Sequence, residues 1–361
     1  MSSIGASKNA KRAAAVHLFF NVIGTAIFMI LFYALNAFLK FSFMDLAANA
    51  AGIAVVHTCF NVSATVILFP FANVLEKLAI MVIPDKKTDE EGQAEKVALL
   101  PDIARLDERF LDKPGLAMEE CRVVSANMAK KAREALLLSI ELLTKYDKKS
   151  VEYVLELEDQ VDKYEDILGS YLLKLSSKNL SPTESQTLSI LLHCIGDFER
   201  ISDHAVNLKE AAEEMHHKGL KFSDKAREEL IVFSNAIIEI LNKAVEAFEK
   251  NDLALAKEVE PLEQVVDYLN MEEKQRHINR LRQGKCTIEL GFVLSDISTT
   301  FERVADHCSN IALCLLEVNE GGFDTHEYME DLEEKDREIF RQEYQEFRKK
   351  YALPESKHSQ N

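Results

Sequence analysis

DFERISDHAVNL at 197–208 and TFERVADHCSNI at 300–311 are one twelve-residue pattern written twice, 103 residues apart. Glu199, Arg200, Asp203, His204 and Asn207 recur as Glu302, Arg303, Asp306, His307 and Asn310. A second pair, LEDQVDKYED around Glu158 and LEQVVDYLNM around Glu263, recurs at an offset of 105. Two patterns repeated in the same order define a duplicated unit of about three long helices. Such a unit is too long for a small solenoid repeat and suits two tandem helical bundles.

Working outward, the pattern predicts helices over 118–146, 149–175, 182–214, 223–250, 253–281 and 285–317. Ser181, Pro182 and Glu184 supply an N-cap, a first-turn proline and the acid of a capping box, and Gly219 suits the position after a helix end. Leu230, Phe233, Ile237, Leu241, Ala244 and Phe248 step by three and four, an apolar stripe for packing. With 12 Gly, 7 Pro, no Trp and a 47% hydrophobic share, the chain of 361 residues reads as all-α, with enough apolar surface for a sizeable core. Residues 85–112 read as a linker that ends at Pro114 and Gly115, and 113–319 as the duplicated bundle domain. Residues 320–361 read as a charged, solvated helix and a disordered tail.

Residues 1–84 form a membrane segment. The stretch 13–39 carries no charge and is longer than a hydrocarbon core requires; a second apolar stretch spans about 47–68, and 71–83 reads as interfacial. Lys8, Lys11 and Arg12 precede the first span and Lys77, Lys86 and Lys87 follow the second, with only Lys40 between them, so both termini are expected in the cytoplasm of a cell inner membrane. The two spans share Val-His-x-x-Phe-Asn-Val, which places His17 and Asn21, and His57 and Asn61, on one face of each helix. Polar groups at that depth either bond a neighbouring helix or line a solute path, and two helices alone cannot enclose such a path.

The net charge of −17 is unevenly placed: residues 1–84 carry +3 and the rest −20. An acidic body of this kind repels phosphate backbones, which excludes nucleic acid as a partner, and it attracts cations. The six cysteines form no CxxC pair, which fits a reducing compartment. Four Glu-x-x-x-Asp pairs occupy equivalent places in the two units: Glu158 with Asp162, Glu199 with Asp203, Glu263 with Asp267, and Glu302 with Asp306. Spacing of four stacks like charges on one helix face, which calls for a compensating cation. A metal ion held by carboxylates from several helices would serve. Arg200 and Arg303, pairing with a neighbouring helix, are the competing compensation, with His204 and His307 capping the network. Neither matched string carries the Glu-x-x-His of a di-iron bundle enzyme, and no nucleophile motif, phosphate-cradling glycine loop or zinc-spaced set is present, so the chain is expected not to be an enzyme.

The strings FERISDHAVNL and FERVADHCSNI resemble the metal-motif helices of the PhoU family, cytoplasmic regulators associated with phosphate uptake, and the resemblance covers about residues 116–318. It implies a PhoU-like tandem pair of three-helix bundles. It also implies iron or zinc ions on Glu158, Asp162, Glu199, Asp203, Glu263, Asp267, Glu302 and Asp306. AKRAAAVHLFFNVIG, IAVVHTCFNVSATVILFPF and LDERFLDKP resemble the end of a bacterial sodium-dependent phosphate (Na/Pi) cotransporter. Members of that family carry two inverted repeats with Gln-Ser-Ser-Ser signatures that bind sodium and phosphate, and this chain has neither signature. The resemblance therefore implies sodium and phosphate as ligands only with further transporter helices. The partners expected are the membrane and either those helices or further copies of the chain. A stand-alone membrane-tethered regulator is the other reading.

Overall fold

The computed structural model describes residues 8–41, 50–82, 100–320 and 334–354, and among them every regular element is helical. The chain divides into two compact units, Met1–Glu95 and Lys96–Asn361.

In the first unit, α1 is Lys8–Leu39, α2 Ala50–Leu68 and α3 Ala72–Val82, with a short 3-10 turn at Phe69–Phe71 where Pro70 interrupts the chain. The segments Ala14–Leu39 and Gly52–Phe71 are long and apolar enough to cross a membrane, and both are mostly exposed rather than buried in a protein core. Helices α1 and α2 meet where side chains are small. A Cβ on Gly24 would lie 3.2 Å from the Ala64 Cβ, and Phe28 and Phe60 meet edge to face with centroids 5.5 Å apart. The connector at 42–49 lies outside the described residues.

The second unit contains α4 (Pro114–Leu142), α5 (Lys148–Ser176), α6 (Pro182–Lys218), α7 (Asp224–Lys250), α8 (Leu253–Lys257), α9 (Val259–Arg282) and α10 (Ile288–Glu320). Helices α4 to α6 form the first bundle and α7, α9 and α10 the second, as the duplication predicts. The capping box at Ser181 forms as read from the sequence, and Gly219 closes α6 in the left-handed region at φ 66°. The stripe on α7 is buried along its whole length. One core runs through both bundles, from Leu100 to Tyr351. Phe198 packs edge to face on Phe248, and its counterpart Phe301 on Phe233, so α7 supplies an aromatic partner to both α6 and α10.

Three sequence readings are revised. The expected helix over 253–281 is broken at Glu258. Pro261 lacks a backbone N–H and its ring crowds the carbonyl of Lys257, so α8 stops there and α9 starts afresh. Residues 100–112, read as linker, form two 3-10 turns fastened to the first bundle, with Tyr164 Oη donating to Asp102 at 3.1 Å and Tyr171 Oη to the Asp107 carbonyl at 2.9 Å. Residues 85–99 lie outside the described set.

The C-terminal helix α11 (Glu334–Lys350), read as solvated, packs on the second bundle instead. Arg348 stacks over Tyr268 at 4.2 Å, Lys243 over Phe347 at 5.6 Å, and Tyr351 is buried with its hydroxyl on Glu239. Few large apolar residues suffice because Tyr344, Phe347 and Tyr351 pack their rings on the core while the lysine and arginine heads between them stay in water. The tail read as disordered has Ala352–Pro354 described, and Arg276 bonds the Pro354 carbonyl at 2.7 Å; 355–361 lie outside the described residues.

Candidate metal centres

Helices α5 and α6 are joined by a short turn and run antiparallel, which brings the Glu-x-x-x-Asp face of one against that of the other. Glu158 and Asp162 from α5 converge with Asp203 from α6, each offering an oxygen within 4.8 Å of the others. The second bundle repeats the arrangement with Glu263 and Asp267 from α9 and Asp306 from α10. Six of the eight acids thus fall into two groups of three. Glu199 and Glu302 stand outside the groups: Glu199 pairs with Arg200 at 3.3 Å, and Glu302 accepts from Asn270 and faces Lys274 at 3.8 Å.

Cationic compensation is weaker than the sequence allowed for. Arg200 forms its ion pairs with Glu199 and Asp203 of its own helix, each at 3.3 Å, and acts on the neighbouring helix only through its charge, on Glu165. Burial pushes seven of the acids up, and repulsion from neighbouring acids adds to it at all of them but Asp203, where Arg200 and His307 oppose the rise. Glu158 and Glu199 rise to about 7, Asp162 to about 6 and Glu263 to about 8, and Asp203, Asp267 and Asp306 rise as well. Three converging oxygens from two helices, destabilised by their own charge, are what a bound cation would correct, so the residues present fit a metal ion. The donors are all oxygen, with no histidine nitrogen or cysteine sulfur in either group.

Between the two centres lies a contact the repeat did not reveal. His204 of α6 and His307 of α10 approach with ring centroids 5.5 Å apart, and His307 Nδ1 bonds Asp197 Oδ1 at 2.8 Å. Asp197 aligns with Thr300, so no recurrence marked it. His307 lowers both Asp203 and Asp306 through charge and so couples the two groups electrostatically. Burial, followed by repulsion from His307, holds His204 down to about 4.

These shifts set a pH dependence for the metal-free protein. A carboxyl whose folded pKa is raised binds its proton more tightly folded than unfolded, so its contribution to stability is present below about 4 and is lost as pH rises through 6 to 8. Buried neutral His204 acts in the opposite sense, but only below about 6.5, where the unfolded imidazole protonates. Between pH 6.5 and 8.5 the carboxyls lead, and the buried thiols of Cys121 and Cys308, raised by burial, act in the same sense at the upper end. The melting temperature after chelation is expected to fall across that interval, and a rise in differential scanning fluorimetry would contradict the assignment of these acids as uncompensated.

In the first unit, Asn21 Nδ2 bonds the His17 carbonyl at 2.9 Å and approaches His17 Nε2 at 3.2 Å, and Asn61 Nδ2 bonds the His57 carbonyl at 3.0 Å. Each amide thus bonds within its own helix, and both imidazoles are exposed.

The PhoU domain family matches residues 126–212 and 230–315, one stretch in each bundle. The chain is 24% identical over 189 residues to a phosphate-specific transport system accessory protein PhoU homolog 1 of Thermotoga maritima, covering 52% of this chain and 81% of that protein. It is likewise 24% identical over 215 residues to a PhoU homolog of Aquifex aeolicus, covering 59% of this chain and 96% of that one. Among solved structures, PhoU from Pseudomonas aeruginosa superposes with a TM-score of 0.53 at 19% identity, over 56% of this chain and 97% of that one. The PhoU regulatory protein from Streptococcus pneumoniae gives 0.53 at 16% identity, over 58% and 99%. At such identities the structures establish a shared fold. With the family match falling on both halves of the duplication, the helical unit of this chain is similar to the PhoU domain family over residues 126–212 and 230–315.

Proposed function

We propose that the chain is the C-terminal part of a sodium-dependent phosphate cotransporter in which a cytoplasmic PhoU-like unit regulates uptake, and that it does not move phosphate alone. The reading is carried by one combination: two PhoU matches with paired acid groups, on a chain that also holds two helices long enough to span a bilayer. Glu158, Asp162 and Asp203 would hold one ion, and Glu263, Asp267 and Asp306 another. When bound, the metal supplies positive charge that ties α5 to α6 and α9 to α10. An all-oxygen donor set suits a hard cation, and iron or zinc is the ion that the resemblance implies. The chain's own residues shape the site: His307, bonded to Asp197, stands beside both groups, and Arg200 holds Glu199 and Asp203 in place. No reaction is assigned, in keeping with relatives described as accessory proteins.

A stand-alone membrane-tethered regulator is supported by the relatives being PhoU homologues matched over 81% and 96% of their own length. Both readings predict negligible sodium-driven phosphate uptake by proteoliposomes holding this chain alone, and robust uptake would overturn both. Addition of a membrane protein that supplies the Gln-Ser-Ser-Ser repeats is expected to produce uptake under the first reading. Uptake that is indifferent to this chain would remove it from the transporter.

A further inference from the structure

The two bundles match at their acid groups and differ toward the hairpin ends, from about two helical turns away along the helices. In the first bundle that end is filled by Leu168, Leu172 and Leu175 of α5 and by Leu188 and Ile195 of α6, all buried. The offsets of 105 and 103 that relate the acid motifs place Glu273, His277, Arg280, Gly291 and Ser298 at these positions in the second bundle. Five apolar positions have become polar or lost their side chain.

The replacements are nonetheless interior. Glu273 is 1% exposed, Ser298 1% and His277 8%. They do not satisfy one another. Ser298 Oγ donates to Glu273 Oε2, but Glu273 Oε1 and His277 Nε2 are buried without a hydrogen-bond partner, as are Arg280 Nε and Nη2. Buried polar atoms are almost always paired, so such a group of orphans calls for an explanation.

A cavity of ≈ 250 Å³ opens at the same place, with His277, Ser298 and Gly291 among its lining and Ile278 and Leu294 as apolar walls. Gly291 leaves room for the imidazole: a Cβ at that position would lie 2.6 Å from His277 Nε2 and would displace the ring tip. Roughly 150 Å³ suffices to hold benzene in a protein interior, so a ring with a substituent fits. Exposed Phe292 and Ile278 stand at this end of the helices. Of the nearby charges, Lys274 faces Glu302 at 3.8 Å and Arg280 Nη1 is engaged by Glu229, and neither Arg280 nor Glu273 is among the residues that line the cavity. Burial pushes Glu273 up to about 7 and holds His277 down, so neither offers a full charge to a ligand near neutrality.

We propose that this cavity between α9 and α10 binds a small neutral molecule with an apolar body and one hydroxyl or amide group. Its body lies against Ile278 and Leu294, and its polar group bonds His277 and Ser298. Whichever imidazole nitrogen carries the proton, a hydroxyl can answer as donor or acceptor. The site is separate from the metal centres and does not depend on them.

Phenol and toluene share a ring and differ in the hydroxyl, which makes them suitable probes. Equilibrium dialysis of the full chain in detergent is expected to give one saturable phenol site, with toluene about tenfold weaker. The His277→Leu/Ser298→Ile variant, which installs the residues of the first bundle, should lose the preference for phenol; His277→Gln should retain it. The proposal is overturned by any of four results: no saturable phenol site, as when the cavity holds water only; toluene bound as tightly as phenol; benzoate bound more tightly than phenol; or a preference unchanged in the double variant.

Discussion

Changing Asp162 and Asp203 together to alanine is expected to halve the metal carried by the full-length chain, with the remainder held by Glu263, Asp267 and Asp306. Two of three converging ligands are lost from the first group, one from each helix, so the remaining Glu158 cannot bridge α5 and α6. Loss of even an outer partner of a metal ligand lowers affinity by about 10- to 100-fold, and loss of two direct ligands should exceed that. Glu199→Gln is the internal control, because Glu199 lies outside the group and is engaged by Arg200. The effect on stability should change sign with loading. In metal-free protein at pH 8 the double variant removes repulsion and melts higher than the native chain; in metal-loaded protein it melts lower. Plasma emission spectrometry and paired melts measure both. Equal metal in variant and native protein, with no reversal of sign, would show that these acids are ordinary surface charge.

The duplication was legible because motif and offset recur together, and everything that follows from a helical hairpin could be read from it: the facing acid pairs, the cap at Ser181, the left-handed end at Gly219 and the buried stripe of α7. Interactions outside the repeat were not legible. Asp197 reaches His307 across 110 positions and aligns with Thr300, so nothing in one dimension marks the pair. The division of the eight acids into two groups of three was also hidden, since spacing of four fixes a shared face but not which side chain a neighbouring Arg200 or Asn270 diverts. Docking of α11 depends on Tyr344, Phe347 and Tyr351 finding a surface, which a charged composition obscures. The polar hairpin end of the second bundle did carry a signal, visible only when the offsets are extended past the matching strings to Leu172 and His277.

Phe301→Ala is expected to destabilise the helical unit by about 3–5 kcal/mol and to lower its single melting transition by about 10 °C. Phe301 is fully buried and meets Phe233 edge to face with centroids 5.1 Å apart, so truncation removes both a large transfer contribution and an aromatic pair. Tight packing on all sides leaves little room for collapse, which places the cost in the upper part of the range for such changes. The informative comparison is with Phe198→Ala, its counterpart in the first bundle, which meets Phe248 at 4.9 Å. Both aromatic partners sit on α7, and one continuous core joins the bundles, so loss of either ring weakens a structure the bundles share. Each variant should therefore lower one common transition rather than release its own bundle. If Phe301→Ala instead splits the melt, with α4 to α6 persisting at the native temperature, the duplicated bundles are independent folding units and α7 is only a tether between them.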